Sequence, residues 1–133
     1  MRRRTFVRLT TAASIALYLP GLDCKPKASA FGQILSQPSA LEHICDAQTI
    51  RQIGQAYQKQ VPNENNQSEL TRLLVTDISR NQISESSDST SVASYLDKKV
   101  REDFKQNNTV IVNGWVLSLT EARQCALFSL TAK

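Results

Sequence analysis

The chain has 133 residues, with 16 Lys/Arg against 12 Asp/Glu and a formal net charge of +4. That surplus is local: residues 1–30 hold six of the basic residues and one of the acids, so the remaining 103 residues carry 10 basic and 11 acidic side chains, net −1. A near-neutral body with no basic stripe excludes the electrostatic footprint of a nucleic-acid binder, and its length suits one domain with a single modest core.

Residues 1–30 read as a targeting segment and are set apart from the fold. Arg2-Arg3-Arg4-Thr5-Phe6-Val7-Arg8 resembles the twin-arginine export consensus, with Arg3 and Arg4 as the pair and Phe6, Val7 and Arg8 at the matching positions. The apolar run Leu9–Leu19 is diluted by threonine and serine, and it is shorter than the about 20 apolar residues that a spanning helix needs. Ala28-Ser29-Ala30 is an A-x-A cleavage site, so the mature domain, 31–133, is expected to begin at Phe31. The resemblance implies a bacterial protein delivered to the periplasm by the twin-arginine export machinery, touching the membrane only through its signal. An ordinary secretory signal or a retained anchor is the competing reading. Cys24 makes a poor lipidation site, because Gly21 and Asp23 stand where a lipobox wants leucine and a small residue.

In the mature chain, Phe31–His43 reads as an irregular opening segment, with Pro38-Ser39 able to start a short helix through Leu41 and Ile44. Asp46 is an N-cap for a helix over Ala47–Gln60, whose Ile50, Ile53 and Tyr57 fall on one face of a 3.6-residue period. Gly54 lies between them, where it permits close approach of another element, and Val61-Pro62 ends the helix. After a polar loop over Asn63–Ser68, Glu69–Ile78 reads as a second helix with Leu70, Leu74 and Ile78 on one stripe. Arg80–Ser91, serine-rich and polar, is linker-like. Val92–Phe104 is a third helix, with Val92, Leu96, Val100 and Phe104 along one face and Asp97, Lys98, Arg101 and Glu102 solvated.

The most strongly specified stretch is Thr109–Leu127. Asn113-Gly114 between Thr109–Val112 and Trp115–Leu117 predicts a type I′ turn, because both residues tolerate the positive φ that it demands. Such a turn pairs Val112 with Trp115, Ile111 with Val116 and Val110 with Leu117. Val110, Val112, Trp115 and Leu117 then share one face, and Ile111 and Val116 the other, so helices should cover at least one side. Ser118-Leu119-Thr120-Glu121 has the spacing of a capping box opening a final helix. The expected fold is α+β and mostly α: about four helices around one C-terminal hairpin.

The chemistry-bearing residues are few. His43 is the single histidine, beside Cys45 and far from Cys125. A Cys/His nucleophile pair needs contact and a third orienting group, and a metal site on these three lacks a paired anchor such as Cys-x-x-Cys. No glycine-rich phosphate loop, dinucleotide fingerprint or haem-attachment motif is present, so neither catalysis nor a cofactor is expected. Cys45 and Cys125 allow two readings: a bridge tying the opening segment to the last helix in an oxidising compartment, or two buried small thiols. Trp115, paired with Val112, likewise has two: a core side chain or part of an interface.

Asp103-Phe104, Thr109–Val112, Gly114-Trp115-Val116-Leu117-Ser118 and Thr120-Glu121-Ala122-Arg123 together resemble the ending of short bacterial proteins that carry twin-arginine signals. The general plan, such a leader on a small helical body, is similar to that of the small subunits of membrane-bound sugar and gluconate dehydrogenases. Those subunits hold no cofactor and accompany a flavoprotein lacking its own signal. The resemblance implies an exported, non-catalytic accessory protein or small subunit, whose partner is an exported oxidoreductase. The alternative is a free-standing envelope protein that binds a ligand or scaffolds.

Overall fold

A computed structural model describes residues 30–76 and 80–132. Arg3, Arg4 and Phe6, expected from the sequence to form an export signal, lie outside the described residues, as does Ile78. In chain order the elements are α1 (Ala30–Leu35), α2 (Ser39–Glu42), α3 (Ala47–Gln60), a 3₁₀ turn (Pro62–Glu64), α4 (Gln67–Val75), α5 (Ser89–Lys105), β1 (Thr109–Val112), β2 (Trp115–Ser118) and α6 (Leu119–Thr131). The architecture is mostly helical with one antiparallel hairpin near the C-terminus, a small α+β fold.

The hairpin has the predicted register, from Thr109 opposite Ser118 to Val112 opposite Trp115. Asn113 and Gly114 adopt φ of 50° and 82°, both positive, as a type I′ turn requires. The last residue of β2 then opens α6. Ser118 Oγ accepts from the Glu121 amide at 3.0 Å, and Glu121 Oε2 accepts from the Ser118 amide at 2.9 Å. Two of the donors left over at the helix start are thereby satisfied within one turn.

Helix α6 is the centre of the molecule. It packs against α3, α4, α5 and both strands, and buried residues run almost continuously from Thr120 to Leu127. A helix surrounded in this way shows little one-sided apolar character. Its most extensive contact is with α3. There the predicted face, Ile50, Ile53 and Tyr57, is buried around Gly54, and a Cβ added to Gly54 would fall 2.1 Å from the Cys125 carbonyl oxygen. The two backbones therefore meet where α3 has no side chain. Asp46 caps α3 through Oδ1, which accepts from the Thr49 amide at 2.8 Å.

Three expectations need correction. Phe31–His43 is more ordered than expected: α1 buries Phe31 and Leu35, while the short helix expected at Pro38-Ser39 is present as α2 and buries Leu41 but ends at Glu42, before Ile44. The second helix begins at Gln67 and ends at Val75, because Asn66 caps it through the Glu69 amide (2.8 Å) and Thr76 is already extended. The linker is shorter than Arg80–Ser91, since Thr76 and Gln82 form a bridge, the Ile83 amide donates to Val75 O at 3.0 Å, and α5 starts at Ser89.

The buried stripe of α5 also differs from the one expected. Val92 and Leu96 are buried, but Phe104 is 45% exposed, and Lys99 and Asp103 take the inner positions instead. Both are satisfied by the ends of other helices. Lys99 Nζ donates to the carbonyls of Leu73 (2.6 Å), Leu74 (3.0 Å) and Thr76 (2.8 Å) at the end of α4, where a cation is favoured by the helix dipole. Asp103 Oδ2 accepts from the Thr120 amide (2.8 Å) and hydroxyl (2.7 Å) at the start of α6. A buried charge is tolerable only with such partners, and here the two charges fasten α5 to its neighbours.

Candidate functional site

Two features stand out on the surface of the described residues. One is a cleft of about 450 Å³ between α1, α2, α5 and the first turns of α6. Ile34, Ala93, Leu96 and Val100 supply apolar wall, while Glu121 and Gln124 line it from α6. Both polar residues are more than nine-tenths buried, at 6% and 3% exposed. Their placement follows from the capping box, which fixes Glu121 at the third position of α6, and from the helical repeat, which sets Gln124 one turn later on the same side.

The hydrogen bonds inside the cleft are specific about which atoms are used. Glu121 Oε2 accepts from both the amide and the hydroxyl of Ser118, at 2.9 and 3.0 Å. Gln124 Nε2 donates to the Gln37 carbonyl at 3.1 Å, and that acceptor assigns the amide's orientation. Neither Glu121 Oε1 nor Gln124 Oε1 has a hydrogen-bond partner among the described residues. Sequence reasoning saw Glu121 only as a cap and missed Gln124. The available signal was two long polar side chains three apart inside the buried run of α6.

The second feature is the outer face of the hairpin. Its inner face carries Val112 and Leu117, both buried, with Val110 and Trp115 partly buried against the core. Its outer face carries the cross-strand pair Ile111 and Val116, 66% and 61% exposed. Of the two residues considered for an interface, Val112 is therefore a core residue and Trp115 lies at the core's margin. The exposed apolar surface belongs to their neighbours on the opposite face.

Among the described residues, Cys45 and Cys125 are free thiols. Cys45 is partly buried and its Sγ donates to the Leu41 carbonyl at 3.2 Å. Cys125 is fully buried, and burial, then the nearby Cys45 and Glu121, push its thiol well above the ordinary range. His43 is exposed. Among the described residues no group of three or more His, Cys, Asp and Glu side chains is arranged to hold a metal ion.

One polar cluster was not anticipated at all. Arg123 forms a two-pronged pair with Glu64, Nε to Oε2 and Nη2 to Oε1, each 2.9 Å, and Tyr57 donates to the same Glu64 Oε2 at 2.6 Å. Burial raises the Glu64 carboxyl, but Arg123 and Tyr57 outweigh it and hold it below the usual range. Burial and the adjacent Glu64 push the Tyr57 phenol up, so it stays a donor. The cluster ties the 3₁₀ turn and α3 to α6. Comparison with family models, with curated proteins and with solved structures finds no match for this chain.

Proposed function

We propose that the chain is exported to the periplasm by the twin-arginine route and acts there without catalysis of its own, as an accessory protein or small subunit of an exported oxidoreductase. The observation that supports this reading is the outer hairpin face. Ile111 and Val116 stand exposed side by side on a two-stranded sheet whose other face is anchored in the core. A rigid exposed apolar pair suits docking, because little side-chain or backbone ordering is left to be lost on association. Purification of the tagged chain from the native periplasm is expected to bring down a flavoprotein in stoichiometric amount. Recovery as a lone monomer overturns the subunit reading.

A second reading is favoured by the cleft: a free-standing envelope protein that binds a small ligand. Its volume lies within the range of about 300–1,000 Å³ usual for small-molecule sites, and its lining joins apolar side chains to the two buried polar groups Glu121 and Gln124. A lone monomer that binds a small molecule at the cleft is the outcome expected under it.

A further inference from the structure

We propose that the cleft between α1, α2, α5 and α6 binds a small organic ammonium ion with an apolar body, its charged end on Glu121 and Gln124. The inference rests on the ligand-binding reading of the cleft and adds the chemical class. At the floor, the groups left for a ligand are two acceptors, Glu121 Oε1 and Gln124 Oε1, since the other polar atom of each side chain is committed within the protein. A floor of acceptors selects a ligand that donates, and an ammonium carries three N–H donors where a hydroxyl carries one. A carboxylate or phosphate would meet only like charge and lone pairs there.

The charges around the cleft point the same way. Glu42, Asp97 and Glu121 are the carboxylates of its lining and Arg101 is its cation. Arg101 and Asp97 are exposed on α5, four residues apart on one side of the helix, where solvent and salt screen them. Glu121, at 6% exposed, is far less screened, and its charge dominates the floor. Ile34, Leu96 and Val100 supply apolar lining to the same cleft, so a ligand that is only a cation would leave apolar surface uncovered. An alkylammonium of several carbons satisfies both ends.

The test compares three probes of one chain length, hexylammonium, 1-hexanol and hexanoate, by NMR titration of the full mature domain, following the Leu96 and Val100 methyl groups. Hexylammonium is expected to bind at least tenfold more tightly than the other two. Glu121→Gln is expected to abolish that preference. Glutamine also serves at the third position of a capping box, so α6 keeps its start, and the comparison among probes needs no variant. If hexanol or hexanoate binds the cleft as tightly as hexylammonium, the ammonium assignment is overturned while the ligand-binding reading stands. If Glu121→Gln folds and retains the preference, Glu121 is not the recognition group and the proposal fails. If none of the three probes shifts the cleft methyls, the proposal and the ligand-binding reading of this cleft fall together.

Discussion

The two glycines Gly54 and Gly114 are present for opposite reasons. Gly114 has nothing within 4 Å of where a Cβ would stand, but its φ is 82°; what it supplies is backbone freedom. Gly54 makes no such demand and supplies absence. Its phantom Cβ lies 2.1 Å from Cys125 O, 2.5 Å from Cys125 C and 2.9 Å from Ala126 N, all backbone atoms of α6 that no rotamer change can move. Alanine is intrinsically better than glycine inside a helix by about 1 kcal/mol, yet here the clash decides. Overpacking of a core typically costs about 1–3 kcal/mol, so Gly54→Ala is expected to lower the melting temperature by several degrees, read by thermal circular dichroism. An unchanged or higher Tm would show that α3 and α6 do not meet at this point. Gly54's role was legible in the sequence, because a glycine in the midst of an apolar helix face has few other uses. Glu64 was not legible: in a polar loop it looks solvated, and only the fold brings it to Arg123, 59 positions later.

At the scale of elements, caps and periodicity were enough where an element's partners lie within itself. Asp46 with Ile50, Ile53 and Tyr57 defines α3 to the residue, and Asn113-Gly114 with Ser118 and Glu121 defines the hairpin and the start of α6. They were insufficient where the reason for burial is remote. Lys99 and Asp103 look like surface residues of α5, and they are inside because α4 ends beside one and α6 begins beside the other. Helix α1 has six residues, with Phe31 and Leu35 buried and Ile34 partly so, too short a pattern to show a period. The Tyr57–Glu64–Arg123 cluster joins elements in the same long-range way and gives stability a pH dependence. Glu64's carboxyl is held down in the folded chain, so its contribution is present above the unfolded value of about 4.3 and is lost as pH falls through the lower folded value. Tyr57 is raised, so its contribution holds below about pH 10 and declines as the pH rises beyond it. Glu64→Gln is expected to be less stable than the parent at pH 7 and to flatten the acid limb of a Tm-against-pH curve. Parallel acid limbs for the two chains would mean that the pair adds nothing to folding.

In the whole molecule, the hairpin turns one face to the core and leaves the other in solvent. The inner pair, Val112 and Leu117, is buried against α6 and the rest of the core, while the outer pair, Ile111 and Val116, faces away. Neither face could be assigned from the sequence, because both are apolar and the covering helices come from distant parts of the chain. The assignment makes substitutions on one hairpin separable. Leu117→Ala leaves a cavity in a small core and is expected to cost about 2–5 kcal/mol, a large share of the total for a domain of this size. Ile111→Thr with Val116→Thr keeps β-branched side chains suited to a strand and removes apolar surface that is already in water. The double variant is therefore expected to melt within about 5 °C of the parent, since each surface substitution of this kind usually stays within about 0.5 kcal/mol. If the outer face docks an exported oxidoreductase, the same variant should lose partner affinity by at least tenfold in a pull-down from periplasm, with its circular dichroism unchanged. A double variant that melts normally and still recovers its partner in full would move the docking surface elsewhere, and one that unfolds would show that the outer face is covered by the chain itself.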